Sequence, residues 1–210
     1  MATTAAAKQN LRSTIRGVLG RLTAEEVRDQ SSLVCRFALT MGCLDRAKGI
    51  SVFLSRPVYE VQTTHILTDC TQRGLRIYIP FIVPGVERKM EMLELFPGED
   101  VRSFERDKWG IPVLPNPEKR KRADPQSIDI VFTPGVAFDL TGRRLGNGKG
   151  YYDSFFIEYD QQRAALGLDR VLKYGLALEK MIVPDVPVDK HDVLLDGVIT
   201  PSGVHSSMHC

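Results

Sequence analysis

The stretch "SIDIVFTPGVAFDLTGRRLGNGKGYYDSFF", Ser127 to Phe156, decides how this chain folds. Its opening, Ser127 to Asp139, is apolar and β-branched, the strongest strand signal in the sequence. Tyr151 to Leu166 reads as a helix. Between them, Gly142 to Gly150 holds four glycines and three basic residues in nine positions. Strand, glycine loop and helix in succession form an α/β unit, and such units place ligands at the carboxyl ends of their strands.

The alternation continues on both sides. Leu11, Ile15, Val18, Leu19 and Leu22 recur at helical spacing over about 4–22, while Lys8, Arg12 and Arg16 share another face. "TAEE" (Thr23 to Glu26) is a capping-box signature opening a second helix to about Met41. "GISVFLS" (Gly49 to Ser55) is a short buried strand. Thr63 to Arg73 is helical, with Gly74 placed to stop it. "LRIYIPFIV" (Leu75 to Val83) is a strand, and "MEMLELF" (Met90 to Phe96) alternates as a more exposed one, its Met90 and Met92 read as packing. "YGLALE" and "DGVITP" end the series as strands. Strands alternating with helices imply a largely parallel sheet covered on both faces. The expected fold is therefore α/β: one domain over 1–210, a three-layer α/β/α sandwich with a mostly parallel, Rossmann-like sheet. The tail "SGVHSSMHC", 202–210, reads as disordered rather than as a metal site, although it carries His205, His209 and Cys210.

A chain of 210 residues can bury a full core without metal or disulfide staples. Net charge is +2, from 28 bases and 26 acids, too little for a general nucleic-acid or membrane-surface binder. Cys35, Cys43, Cys70 and Cys210 are scattered, without metal-site or disulfide spacing, which points to a reducing compartment. No apolar run approaches the ~20 residues of a membrane span. The N-terminus has no acid before Glu25 and is rich in Ala, Ser, Thr and Arg, as in a mitochondrial transit peptide. Nothing resembling a cleavage point follows it, so a retained helix and the cytoplasm are the preferred reading, with mitochondria the alternative. Lys119 to Arg122, within "PNPEKRKRADP", reads as a solvated loop tip between prolines rather than a nucleic-acid contact.

The glycine loop has the physical logic of an anion cradle. Glycines let backbone N–H groups approach an anion, and the helix behind adds its partial positive charge. Arg143, Arg144 and Lys149 add full charges. Neither standard nucleotide motif is present. Lys149 is followed by Gly150 rather than a hydroxyl residue, and Gly146, Gly148 and Gly150 give G-x-G-x-G. A bare flexible hairpin explains the crowding of cations and an aspartate poorly. Asp153, in the first turn of the helix, suits the dipole and also suits Mg²⁺, which takes one or two carboxylates beside phosphate oxygens. Asp189, Asp192 and Asp196 are all open as a second carboxylate.

"TPGVAFD" followed by "RRLGNGKGYYD" closely resembles the 5,10-methenyltetrahydrofolate synthetase family, also called 5-formyltetrahydrofolate cyclo-ligase. The resemblance runs in order through the basic first helix, "FLS…EVQT" (Phe53 to Thr63), "KWGIP" (Lys108 to Pro112) and "VPVDKHDVLLDGV" (Val186 to Val198). It implies an ATP- and Mg²⁺-dependent conversion of 5-formyltetrahydrofolate, polyglutamylated or not, to 5,10-methenyltetrahydrofolate, with ADP and phosphate released. It also implies a monomer acting on a small molecule, with neither nucleic acid nor membrane as partner. By resemblance, Lys8, Arg12 and the run Arg144, Leu145, Gly146, Asn147, Gly148, Lys149, Gly150, Tyr151 and Tyr152 hold ATP. Lys149 and Arg144 are the catalytic charges. Asp153 and Asp192 match the magnesium ligands. Leu54, Glu60, Trp109 and Tyr151 match the folate pocket. One departure is Asn147, where relatives with this loop often carry Arg. The rival readings are phosphoryl transfer or sugar-phosphate isomerisation on a shared fold, and nucleic-acid binding through Lys119 to Arg122.

Overall fold

The structure, a computed structural model, describes residues 3–206. Two helices come first, α1 (Thr4–Leu19) and α2 (Ala24–Leu39). The expected capping box at α2 is present: the Thr23 side chain accepts from the Glu26 amide while Glu26 reaches back to the Thr23 amide. Strand β1 (Gly49–Val52), helix α3 (Thr64–Gln72), β2 (Arg76–Ile82) and β3 (Met90–Glu94) follow. The second half comprises β4 (Ile130–Thr133), β5 (Ala137–Phe138), β6 (Arg144–Leu145), α4 (Tyr151–Ala165), β7 (Leu172–Leu176), β8 (Gly197–Thr200) and β9 (Gly203–Ser206).

Seven strands form one sheet in the order β3-β2-β1-β4-β7-β8-β9. From β2 to β8 all pairings are parallel; β3 and β9 run antiparallel at the edges. Every residue of β1, β4 and β8 is buried, as expected of central parallel strands covered on both faces. The crossover β1–α3–β2 moves one way along the sheet and β4–α4–β7 the other. Right-handed crossovers therefore put α3 and α4 on opposite faces. Ile50, Val131, Phe132, Tyr174 and Val198 belong to one continuous apolar cluster between these layers.

Three expectations are corrected. The long strand Ser127 to Asp139 is broken: β4 stops at Thr133, and β5 pairs antiparallel with β6 in a separate two-stranded ribbon. Pro134 has no amide to continue the ladder. The tail is ordered through Ser206, because Gly203–Ser206 pairs along the edge of β8 and His205 Nε2 lies 2.9 Å from Thr200 Oγ1. His209 and Cys210 lie outside the described residues. The basic run is solvated only in part: Lys119, Lys121 and Arg122 are exposed, while Arg120 is held in. Arg120 is 4% exposed, gripped by Glu99 at 2.7 and 2.8 Å and by the carbonyls of Pro115 and Glu94, with its guanidinium over Phe96. Arg122 pairs with Glu91 at 2.6 Å.

Cys35, Cys43 and Cys70 are buried. Burial pushes the Cys35 and Cys70 thiols up to about 12, which suits packing rather than reactivity.

Candidate active site

The strand order turns at β1 and β4, neighbours whose chains depart in opposite directions. Their carboxyl ends open the crevice where such sheets bind ligands. The segment after β1 carries Leu54 and Glu60; the segment after β4 carries the glycine loop. Buried side-chain groups without a partner include Thr133 Oγ1 at the tip of β4, Arg144 Nε on the segment that follows it and Arg56 Nε on the segment after β1. Orphaned polar groups are rare in native interiors, and these three lie on or just after the two strands that border the crevice.

The glycine segment is half hairpin, half cradle. The β5–β6 ribbon carries Arg143 and Arg144 out and back, and the chain then runs through Gly146 to Gly150 into α4. Gly150 caps α4 with φ +70°, a left-handed conformation that other residues adopt only under strain. At Gly146 a Cβ would stand 2.8 Å from Arg144 Nη1, so a larger residue there would push the guanidinium aside. Arg144 is buried, donates to Asp153 Oδ2 at 2.9 Å, and lies over the Tyr152 ring at 5.4 Å. Leu145 is buried in the core. Lys149 is exposed and makes no ion pair among the described residues. Arg143, expected to face the anion, instead pairs with Asp185, and Asp139 beneath it caps the hairpin through Thr141 and the amides of Arg143 and Val186. Burial opposes the Asp139 charge, but these hydrogen bonds outweigh it and hold its carboxyl below the usual range.

Helix α1 lies on the loop. Arg12 Nε donates to the Gly146 carbonyl at 2.9 Å, and the guanidinium passes beside Gly148. Lys8 Nζ donates to Asp189 Oδ2 at 2.7 Å and to Asp192 Oδ2. Asp153 and Asp192 are brought together: Asp153 Oδ1 accepts from the amide of Val193 at 3.1 Å. Two cations outside the expected set also stand beside the loop. Arg16 donates to Asn147 Oδ1 at 2.8 Å, and its place on the Lys8–Arg12 face was the available signal. Arg88, from the β2–β3 turn, runs beside Gly150, and nothing local marked it.

On the β1 side, Glu60 accepts from the Arg56 amide at 3.0 Å. Burial dominates its environment and pushes its carboxyl up despite that hydrogen bond and the Arg56 charge. Glu60 also acts on Tyr152: burial first, with this carboxylate helping, drives the phenol far above its ordinary range against the pull of Arg144. Tyr59 beside it holds φ +72°, a strained backbone of the kind that collects at functional loops. Trp109 is 56% exposed rather than core, with Lys108 Nζ 4.4 Å and Arg56 Cζ 5.9 Å from its rings. At Gly110 a Cβ would stand 2.8 Å from Pro57, so the Trp109 turn rests on the segment after β1. Leu54 and Tyr151 are half-buried against the core. None of the expected site residues lines the cavity of about 320 Å³ formed by Leu140, Glu179, Ile182 and the turn from Thr200 to His205.

Comparison with known proteins gives the family. The family model described as "5-formyltetrahydrofolate cyclo-ligase family" matches residues 4–201. A Schizosaccharomyces pombe protein named "Probable 5-formyltetrahydrofolate cyclo-ligase" is 32% identical, covering 94% of this chain and 96% of its own. A Mus musculus 5-formyltetrahydrofolate cyclo-ligase is 32% identical, covering 92% and 93%. The solved structure of Aquifex aeolicus 5,10-methenyltetrahydrofolate synthetase superposes with a TM-score of 0.72 at 26% identity, covering 95% of this chain and 92% of that one. The family match spans nearly the whole chain, and the chain belongs to the 5-formyltetrahydrofolate cyclo-ligase family.

Proposed function

We propose that this protein converts 5-formyltetrahydrofolate to 5,10-methenyltetrahydrofolate at the expense of ATP, releasing ADP and phosphate. The observation that carries the reading is that Arg12 meets the glycine loop and Lys8 meets Asp192, while Asp153 accepts from the amide of Val193, the residue after Asp192. Cationic side chains, bare backbone and a pair of acids at one switch point suit a metal-bound polyphosphate.

A formamide carbon resists attack by the neighbouring N10 amine because its oxygen leaves poorly. Transfer of the γ-phosphoryl to the formyl oxygen breaks the bond to ADP and makes that oxygen a phosphate. N10 attacks the carbon and loses its proton to solvent, phosphate leaves, and the amidinium ring is closed. No protein nucleophile is needed. The protein orients and neutralises: alignment of the reacting atoms is worth roughly 7–11 kcal/mol in favourable cases. Lys149 and Arg144 are the charges we assign to the transferring phosphoryl, with Lys8, Arg12 and the Leu145 to Tyr152 segment holding ATP. Asp153 and Asp192 suit Mg²⁺, which binds one or two carboxylates and completes its shell with phosphate and water. No group of three or more His, Cys, Asp or Glu able to hold a metal occurs among the described residues, as that mode of binding allows. When bound, Mg²⁺ supplies charge neutralisation.

Glu60, Leu54, Tyr151 and Trp109 are assigned to the folate. A raised carboxyl beside the crevice can accept from the amide-like donors of a pterin, and an exposed indole offers a stacking face. Arg56 and Lys108 beside Trp109 suit the carboxylates of a glutamyl or polyglutamyl tail. The contacts of Lys8 and Arg12 support α1 as a working part of the site. No helix among the described residues is long and apolar enough to cross a membrane.

The test is to mix protein, Mg·ATP and 5-formyltetrahydrofolate and follow methenyltetrahydrofolate absorbance. No absorbance, with calorimetry showing no folate binding, would sink the reading in favour of another reaction on this fold.

A further inference from the structure

Lys8, Arg12 and Arg16 stand four residues apart along the face of α1 that meets the glycine loop. Lys8 is answered by two carboxylates; Arg12 and Arg16 form no ion pair among the described residues. Arg120, Arg122, Arg143, Arg144 and Arg170 all do. The two α1 guanidiniums repel each other: burial, and then the Arg16 charge, hold Arg12 below its ordinary range. Each hydrogen-bonds a neutral acceptor on the loop, Arg12 the Gly146 carbonyl and Arg16 the Asn147 side chain, and the pull of Asp192 on Arg12 is outweighed by burial and by Arg16. A guanidinium has five donors in a fixed fork, so one bond to Asn147 aims it without exhausting it. Two like charges held beside bare backbone, with neutral anchors in place of acids, form a site for a polyanion.

We infer that Arg16, aimed by Asn147, is a further phosphate-binding residue, delivering from α1 a third cation to the nucleotide's phosphate tail. The inference rests on the proposed ATP reading and deepens it. It also assigns Asn147 a role: a neutral oxygen that receives Arg16 where a cation in the loop would drive it away.

Titration calorimetry with Mg·ATP on four proteins tests this: the wild type, Arg16→Ala, Asn147→Arg, and the double variant. Arg16→Ala is expected to bind Mg·ATP about tenfold more weakly, as loss of a charge-assisted contact implies. Its affinity for 5-formyltetrahydrofolate and its melting temperature should be unchanged. Asn147→Arg alone should also bind more weakly, from repulsion. The double variant, with the cation moved into the loop, should recover most of the affinity. Arg16→Lys should fall between, which covers any folding defect in the alanine variant. Wild-type affinity in Arg16→Ala overturns the inference while leaving the ATP reading intact. So does a loss matched by equal losses in folate binding and melting temperature, because a merely structural role at the end of α1 would give that. If the wild type binds no Mg·ATP, the proposed function and this inference fall together.

Discussion

Lys8 Nζ lies 2.7 Å from Asp189 Oδ2 and also donates to Asp192, so the first helix closes on acids 181 and 184 positions away. Burial works against the ammonium, but the two carboxylates outweigh it and hold its pKa above the ordinary range. Arg144 likewise donates to Asp153, at 2.9 Å. Each acid assigned to Mg²⁺ is thus neutralised by a cation assigned to ATP, and binding of Mg·ATP would exchange partners on both sides.

That exchange gives opposite signs for one substitution. Lys8→Ala should weaken Mg·ATP on the order of tenfold, through loss of a charge-assisted phosphate contact. It should tighten Mg²⁺ alone, because Asp192 loses its competing cation. Calorimetry with each ligand separately checks this; weakening of both would refute the exchange.

Lys149 is exposed and unpaired, so its removal should cost no stability. Lys149→Ala is expected to lower turnover at saturating ATP by about 10²–10³, the usual loss for one preorganised donor to a developing charge. Its urea midpoint should match that of the wild type. Normal turnover in the variant would remove Lys149 from the chemistry.

Glu60 has a raised pKa, so the native chain holds a proton where the unfolded chain has lost it. Its burden on stability is absent below the unfolded value near 4.5, grows as pH rises through the folded value, and then levels off. Glu60→Gln should therefore melt higher than the wild type near neutral pH and equally in acid, while binding folate less well. Thermal melts across pH, paired with folate titration, check both halves. A variant less stable at neutral pH would contradict the burial argument.

Arg120 predicts the reverse profile. Arg120→Met leaves Glu99 and the carbonyls of Pro115 and Glu94 without their donor, and should cost about 3 kcal/mol. Because Arg120 holds the Glu99 carboxyl below its usual range, that stability is present above 4.5 and is lost as pH falls through the folded value. The variant should show a flatter acid limb in urea unfolding and unchanged Mg·ATP affinity. A change in nucleotide affinity would mean the run from Lys119 to Arg122 reaches the site.

The sequence by itself determined what depends on neighbours along the chain. The Thr23–Glu26 box starts α2, Gly74 with φ +77° ends α3, apolar runs make the parallel strands, and glycines between β4 and α4 make the cradle. These follow from backbone sterics and hydrogen bonds that span a few residues. Only the tertiary structure decided which charge meets which. Nothing local distinguishes Lys8, bound to Asp192, from Arg143, drawn off to Asp185, or buried Arg120 from exposed Lys119. The same holds for the edge of β8, which orders a tail that composition marks as loose. Coulombic and ladder partners are chosen by proximity in space, and a distance of 184 residues along the chain leaves no trace in a periodicity of two or 3.6.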